Sequence, residues 1–267
     1  MDSAWIDAYL VATGLDTASV ASYFRVRCGK GGTLVLGPEL RDALRSAADG
    51  KLAVLYTFGA VTLVNFNNVE TRSFLHFLAS LGQTIDEAQF ARYADNYSIG
   101  LGPGLPWLVE MDGARVADDL AGCTLSTCDT MALSLLYERL DERIGVLSDR
   151  GEELVAAAGS GRLFHVQSHV RELAGFLRFQ ADYAHSCDER SWKAGKADMV
   201  MQPFRVALQD FYDIRGRADI LGRKSEGLGA IIDTLTEHSV RRQELRVWAV
   251  QALLILSFVV LDIVYYF

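Results

Sequence analysis

His165 and His169 stand four residues apart on a stretch that reads as helix, so both imidazoles could face one point, the geometry of a helical metal pair. The residues between them are Val166, Gln167 and Ser168, so the HExxH pattern is absent. His185 and Cys187 would complete a ligand set only if the chain folded back, and ordinary polar-face histidines are the simpler reading. Cys123 and Cys128, five apart, suit neither a zinc knuckle nor a redox pair. With Cys28 and Cys187 they give no disulfide framework and fit reduced thiols. Gly29-Lys-Gly-Gly-Thr33 has its lysine before the glycine pair, the wrong order for a phosphate loop, and reads as a turn. In Tyr137-Glu-Arg-Leu-Asp-Glu-Arg143 the carboxylates alternate with arginines, which predicts a solvated, ion-paired helix face and no acid–base pair. No GxSxG, GxGxxG or HxE…CxxC pattern occurs. The chain therefore offers no catalytic residue, no cofactor-binding residue and no metal ligand.

The stretch with a physical consequence is the last one. Residues 247–267 contain no lysine or arginine and a single carboxylate, Asp262. A helix of that length spans about 30 Å, the thickness of a bilayer's hydrocarbon core. Trp248 marks one end and Tyr265 and Tyr266 the other, as interfacial aromatics do, with Leu253, Leu254 and Phe258 between. Arg241, Arg242 and Arg246 stand just before it, on the side where cytoplasmic charge is expected. Asp262, about one turn from the end, can reach the far interface or pair with a neighbouring helix. The expectation is a single-pass, tail-anchored membrane protein with its soluble mass on the cytoplasmic side. The N-terminus, with Asp2 and Asp7 and no arginine, reads as neither a secretory signal nor a transit peptide. The net charge of −8 argues against nucleic acid as the main ligand.

These features need elements to position them. Val20-Ala-Ser-Tyr-Phe-Arg-Val-Arg27 alternates and predicts a strand, and Thr33-Leu-Val-Leu36 is a short apolar run. Leu52–Phe58 and Ala60–Phe66 predict two strands joined by a tight turn at Gly59. Asn67 or Asn68 caps a helix over 69–81, which Gly82 stops. Further strands are expected at 91–99, 107–111 and 114–117, around a loop at 100–106. From Asp129 strand signals fade. One helix is expected over 130–158 with Asp129 as its N-cap, a second over 163–189, and a third from Pro203, a residue suited to a first helical turn. On the third, Ala207, Phe211, Ile214, Ala218, Leu221, Ser225, Leu228, Ile232 and Leu235 alternate steps of four and three, a heptad seam. Ala218, Ser225, Gly222, Gly227 and Gly229 would let a partner helix approach closely. That partner is either the second helix of the same chain or another copy, and a homo-oligomer is expected.

The ordered features resemble the Required-for-Meiotic-nuclear-Division, or YagE-like, family over roughly residues 50–267. Tyr56-Thr-Phe-Gly-Ala-Val-Thr-Leu-Val-Asn-Phe66 is similar to that family's Phe-x-x-Gly-x-Val-Val strand pair, here through Phe58 and Gly59. Met131-Ala-Leu-Ser-Leu-Leu-Tyr-Glu138 is similar to its middle helix leading to a glutamate. Trp192, followed by Phe211–Lys224 with Arg217, resembles its Trp and Tyr-x-x-x-x-x-Arg-x-x-x-Leu-Asn-x-Arg/Lys segment. Gly222 replaces the usual asparagine, and the Leu-Asp-x-Pro run before the tryptophan is missing. The resemblance implies an α/β N-terminal part, a helical C-terminal part, a terminal hydrophobic segment and a membrane-attached scaffold near translation or membrane-insertion machinery. It implies no catalytic residue.

Together these readings predict an α+β protein. An N-terminal α/β domain (1–128) is followed by a long antiparallel, coiled-coil-like helical hairpin (129–246) that runs into a transmembrane tail (247–267). The expected function is a membrane-anchored scaffold holding protein partners at the cytoplasmic face. The alternatives are an enzyme of unknown reaction with a site between the α/β domain and the helices, and an oligomeric channel-like assembly ringed by Asp262.

Overall fold

The computed structural model describes residues 3–44, 48–102, 106–159, 171, 173–182 and 201–266; side chains are described except at 30, 157–159, 238, 239, 242, 243, 246 and 256–266. The protein is α+β. Seven strands form one sheet: β1 (Ser3–Leu10), β2 (Leu34–Leu36), β3 (Leu52–Leu55), β4 (Ala60–Val64), β5 (Ala94–Leu101), β6 (Trp107–Glu110) and β7 (Gly113–Val116), in the order β2-β3-β4-β1-β5-β7-β6. Every neighbour pairs antiparallel except β5 and β7, which run parallel. In β1 the alternation is clear, with Ala4, Ile6, Ala8 and Leu10 buried and Trp5 exposed. The strand is central, pairing Ile6 with Val64 on one side and with Tyr97 on the other.

The β3–β4 turn is as expected. Tyr56 N–H donates to Ala60 O at 2.9 Å, Gly59 N–H donates to Tyr56 O at 2.9 Å, and Gly59 takes φ +94°. A Cβ at Gly59 would overlap the carbonyl oxygen of Ala12, so only glycine fits there. Asn67 caps α3 (Asn68–Ser80) and, with Glu70, forms a full capping box. Gly82 follows at φ +83°. The expected strand at 20–27 is instead α1 (Thr17–Phe24). Asp16 caps it by accepting from Ser19 N–H, Arg25 ends it in the left-handed region, and Thr17, Val20 and Ala21 are buried at helical spacing. On one sheet face Leu34, Leu36, Leu55, Val61 and Leu63 pack with Val20, Phe74 and Leu78 of α1 and α3. Two short helices, α2 (Leu40–Leu44) and α4 (Glu87–Arg92), complete this half.

The next helix is longer than its apolar pattern. It is α5, Leu120–Gly159, 40 residues. Asp129, expected as an N-cap, lies inside it and accepts a hydrogen bond from the buried Tyr56 hydroxyl at 2.8 Å. The cap is Asp119, at φ +45°, whose Oδ1 accepts from Gly122 N–H at 3.1 Å. The same device recurs where the expected third helix breaks. α7 (Gln202–Phe211) stops, Asp213 takes φ +48°, and α8 (Ile214–Tyr266) begins with the Asp213 carboxylate over Gly216. In both Asp-x-x-Gly runs a Cβ at the glycine would collide with that carboxylate. A cap of this kind stabilises a helix by about 1 kcal/mol.

The first half of α5 is buried on most sides although it is rich in hydroxyls. Thr124, Thr127 and Thr130 return their hydroxyls to the carbonyls of Leu120, Cys123 and Ser126 at 2.6, 3.0 and 2.9 Å, so none is left unpaired. Thr62, fully buried on β4, places its hydroxyl beside the Tyr56 hydroxyl and the Cys128 thiol, in contacts too loose to count as formed hydrogen bonds. By contact pattern the chain divides into two compact units, residues 1–141 with 183–221 and residues 142–182 with 222–267. In the first unit α7 buries Phe204 and Leu208, and Tyr97 of β5 packs against Phe211 and Tyr212 with ring centroids 5.8 and 6.1 Å apart. In the second lies α6, residues 173–182, with Leu173 and Phe176 buried and the Arg143 guanidinium 5.2 Å from the Phe176 ring.

Burial makes the core of the first unit sensitive to alkali. It pushes the Cys128 thiol up from 9.0 to about 12, and the Tyr56 hydroxyl well above 10.0. The unfolded chain releases these protons near their ordinary values, so the stability from keeping both groups neutral is fully present below about pH 9. It is lost as pH rises from there toward 12. Urea unfolding should give a flat midpoint from pH 7 to 9 and a fall by pH 11, with the Cys128 share about 2 kcal/mol there. Cys128→Ala should flatten that fall; an unchanged alkaline slope would show that the thiol is not buried as described.

Candidate functional site: the long C-terminal helix

Among the positions that carry the family resemblance, the structure joins two through a third residue. Phe58 is buried and stacks on Tyr56 at 5.2 Å. Its carbonyl accepts from Arg139 Nη2 at 3.0 Å, while Arg139 Nη1 donates to the Ala12 carbonyl at 2.8 Å. Ala12 is also the residue that Gly59 approaches. Arg139 thus holds α5 to the end of β1 and to the β3–β4 turn at once, a use of the guanidinium's fixed fork of donors. The neighbouring Glu138 is exposed. Arg139 therefore departs from the solvated face expected for 137–143. Arg217 of α8 donates to the Ser134 hydroxyl at 3.2 Å, a second polar tie to α5 within the same unit. Trp192 lies outside the described residues, as do His165, His169, His185 and Cys187.

The seam is partly relocated. Ala207 and Phe211 lie on α7, on the other side of the Asp213 break, Ala207 half-buried and Phe211 exposed. On α8, Ile214, Leu221, Leu228 and Leu235, seven apart, are all buried, Leu228 and Leu235 completely. Ala218, Ser225 and Ile232 between them are half-buried. Within the second unit, Ile231 lies so near Gly151 of α5 that a Cβ there would come within 2.8 Å of it. Among the described residues Gly222, Gly227 and Gly229 have no atom within 4 Å of where a Cβ would stand; Gly222 and Gly229, seven apart, share one side of α8, and Gly227 lies on another.

Beyond Leu235 the helix has no buried residue among those described. A groove of about 750 Å³ runs along Asp233, Thr236, Glu237, Val240, Arg241 and Glu244. Then the surface turns apolar. Leu245, Val247, Trp248, Val250, Leu253, Leu254 and Ile255 are 54–70% exposed. With Ala249 and Ala252 they occupy every side of the helix, and Gln251 is the one polar residue of 247–255. Among the described residues no helix is long and apolar enough to cross a membrane. The described side chains stop at Ile255, nine residues into the segment 247–267, so those of Phe258, Asp262, Tyr265 and Tyr266 lie outside them. The helical backbone itself is continuous to Tyr266.

No protein-family model, no curated protein and no solved structure matches this chain. The likeness to the Required-for-Meiotic-nuclear-Division proteins rests on the quoted motifs.

Sequence reasoning found the apolar end and the buried seven-residue spacing. It missed Arg139, whose partners are 127 and 81 residues away. Arg139→Met keeps most of the side-chain volume and leaves two carbonyls short of a donor. It should cost about 3 kcal/mol in urea unfolding, since hydrogen bonds from a charged donor contribute about 1.5–3 kcal/mol each. A loss below about 1 kcal/mol would mean that the tie is dispensable.

Proposed function

We propose that this protein is a membrane-anchored scaffold. The sheet-bearing body is carried by α8 on the cytoplasmic face of a membrane, residues 247–267 cross the bilayer, and the body holds protein partners near the surface. The observation that carries this reading is the state of α8 after Leu235. One unbroken helix leaves a buried seam and becomes exposed, and apolar but for Gln251, on every side from Val247 to Ile255. A helix apolar all round is at home in lipid or in a protein core, not in water. At 53 residues and about 1.5 Å per residue, α8 is about 80 Å long, enough to pack, leave the body and span a bilayer.

In this reading the second half of α5 and the middle of α8 form an antiparallel, coiled-coil-like hairpin that continues into the transmembrane segment. The close approach of Ile231 to Gly151 supports it. The side of α8 that Gly222 and Gly229 share is where a second copy would lie, which gives the expected homo-oligomer. The physical gain is effective concentration: confining the body to a thin layer lets weak contacts with membrane-bound partners persist. The resemblance to membrane-attached scaffolds agrees with this, and partners in translation or membrane insertion follow from that resemblance alone.

Membranes from cells making the full chain, washed with alkaline carbonate, should retain the protein. A chain ending at Arg246 should come off. Leu228→Pro, which breaks α8 inside the seam at a cost of about 3 kcal/mol or more, should stay in the membrane pellet but lose the proteins that co-purify in mild detergent. Release of the full chain by carbonate would contradict the anchor; unchanged partners in Leu228→Pro would contradict rigid coupling through α8.

A further inference from the structure

The anchored reading leaves open which lipids the protein meets, and the residues at the junction bear on this. We propose that α8 carries an arginine collar, Arg241, Arg242 and Arg246, that gathers anionic phospholipid headgroups around the anchor; the proposal rests on the anchored reading above. The chain is acidic, with 34 carboxylates against 26 lysines and arginines. Yet three of those cations fall within six consecutive residues, with Glu244 the one acid among them. They sit where the helix changes character. Leu245 and Val247 begin the exposed apolar surface, and Trp248, 70% exposed, follows as an interfacial aromatic would. Arg242 and Arg246 are four positions apart along α8, and Arg241, beside Arg242 in the chain, is exposed.

Distance decides which charges along α8 set the interaction. From Leu235, the last buried seam residue, to Val247 the helix rises twelve residues, or about 18 Å. The Debye length at physiological salt is about 8 Å. Charges on α8 at or before Leu235 are therefore largely screened from the lipid surface. Arg246 stands one residue from Val247, and Arg241 and Arg242 stand six and five residues from it, about 8–9 Å. All three lie within about one screening length of the headgroups. A cation at an anionic surface contributes about 1 kcal/mol, about a fivefold local enrichment of anionic lipid, and Glu244 offsets part of the total. The partner is thus a phosphate-bearing anionic lipid in the leaflet facing the body, and a zwitterionic lipid does not satisfy the collar.

Trp248 reports on this directly. The full chain is reconstituted in vesicles of phosphatidylcholine and phosphatidylglycerol at four to one, with bromine on the acyl chains of one lipid or the other. Bromine in the bilayer quenches tryptophan at the membrane, and Trp5, Trp107 and Trp192 are each replaced by phenylalanine so that Trp248 alone gives the signal. Brominated phosphatidylglycerol should quench at least about threefold more per molecule than brominated phosphatidylcholine, falling toward one as salt rises. Arg241→Gln with Arg242→Gln and Arg246→Gln should remove the preference while total quenching stays. Equal quenching by the two lipids, or a preference that ignores salt, overturns the collar and leaves the anchor standing. No quenching by either lipid overturns the anchored reading and the collar with it.

Discussion

The guanidinium of Arg139 sets the register on which the first unit depends. It donates to the carbonyls of Ala12 and Phe58, two backbone groups brought together by the approach of Gly59 to Ala12. Buried carbonyls need donors, and a long cation on a helix supplies two without asking the sheet to give up a ladder bond. Fixing α5 at that point places Asp129 under the Tyr56 hydroxyl. It also leaves Ser134 in reach of Arg217, so the start of α8 is tied to the same helix. Without that register the hydroxyl-rich half of α5 would have no defined face against β4.

From that start α8 changes environment along its length while remaining one helix. Ile214 to Leu235 bury one residue in seven, the spacing that keeps a seam in place on a single side. After Leu235 the described side chains are exposed, first mixed and charged, then apolar all round. A soluble helix of this length would need a partner for the second stretch. In our reading the bilayer is that partner, and the arginines at 241, 242 and 246 mark where water ends. A stiff connection of this kind fixes the height and orientation of what it carries, a property a disordered linker lacks.

Much of the local structure was legible because its causes are local. The Gly59 turn, the Asn67 capping box and the stop at Gly82 each depend on residues within four positions of one another. The seam from Ile214 onward was legible because burial imposes a spacing. Where causes are distant, the sequence misled. Val20–Val26 alternates like a strand, but Asp16 caps it and Arg25 ends it, and the buried residues Thr17, Val20 and Ala21 are helical in spacing. Residues 120–129 look poor for a helix because they are rich in Thr, Ser and Cys; their hydroxyls turn back to helical carbonyls, which burial rewards and propensity does not foresee. The seam also ran on to Ala207 and Phe211, across the Asp213 break. The Asp-x-x-Gly repeat at 119–122 and 213–216 is the sequence signal that could have located both helix starts.

The central claim is that α8 passes from a protein seam into lipid. Spin labels placed singly from 236 to 262 in the full chain, reconstituted in vesicles, test it by their collision with oxygen and with a water-soluble nickel complex. The account predicts that nickel access is high through Arg246 and falls beyond Val247, while oxygen access rises toward the middle of 247–267 with no strong helical period. Nickel access persisting through that segment with a period of 3.6 residues would contradict it, because one side of α8 would then lie in water and the other against protein.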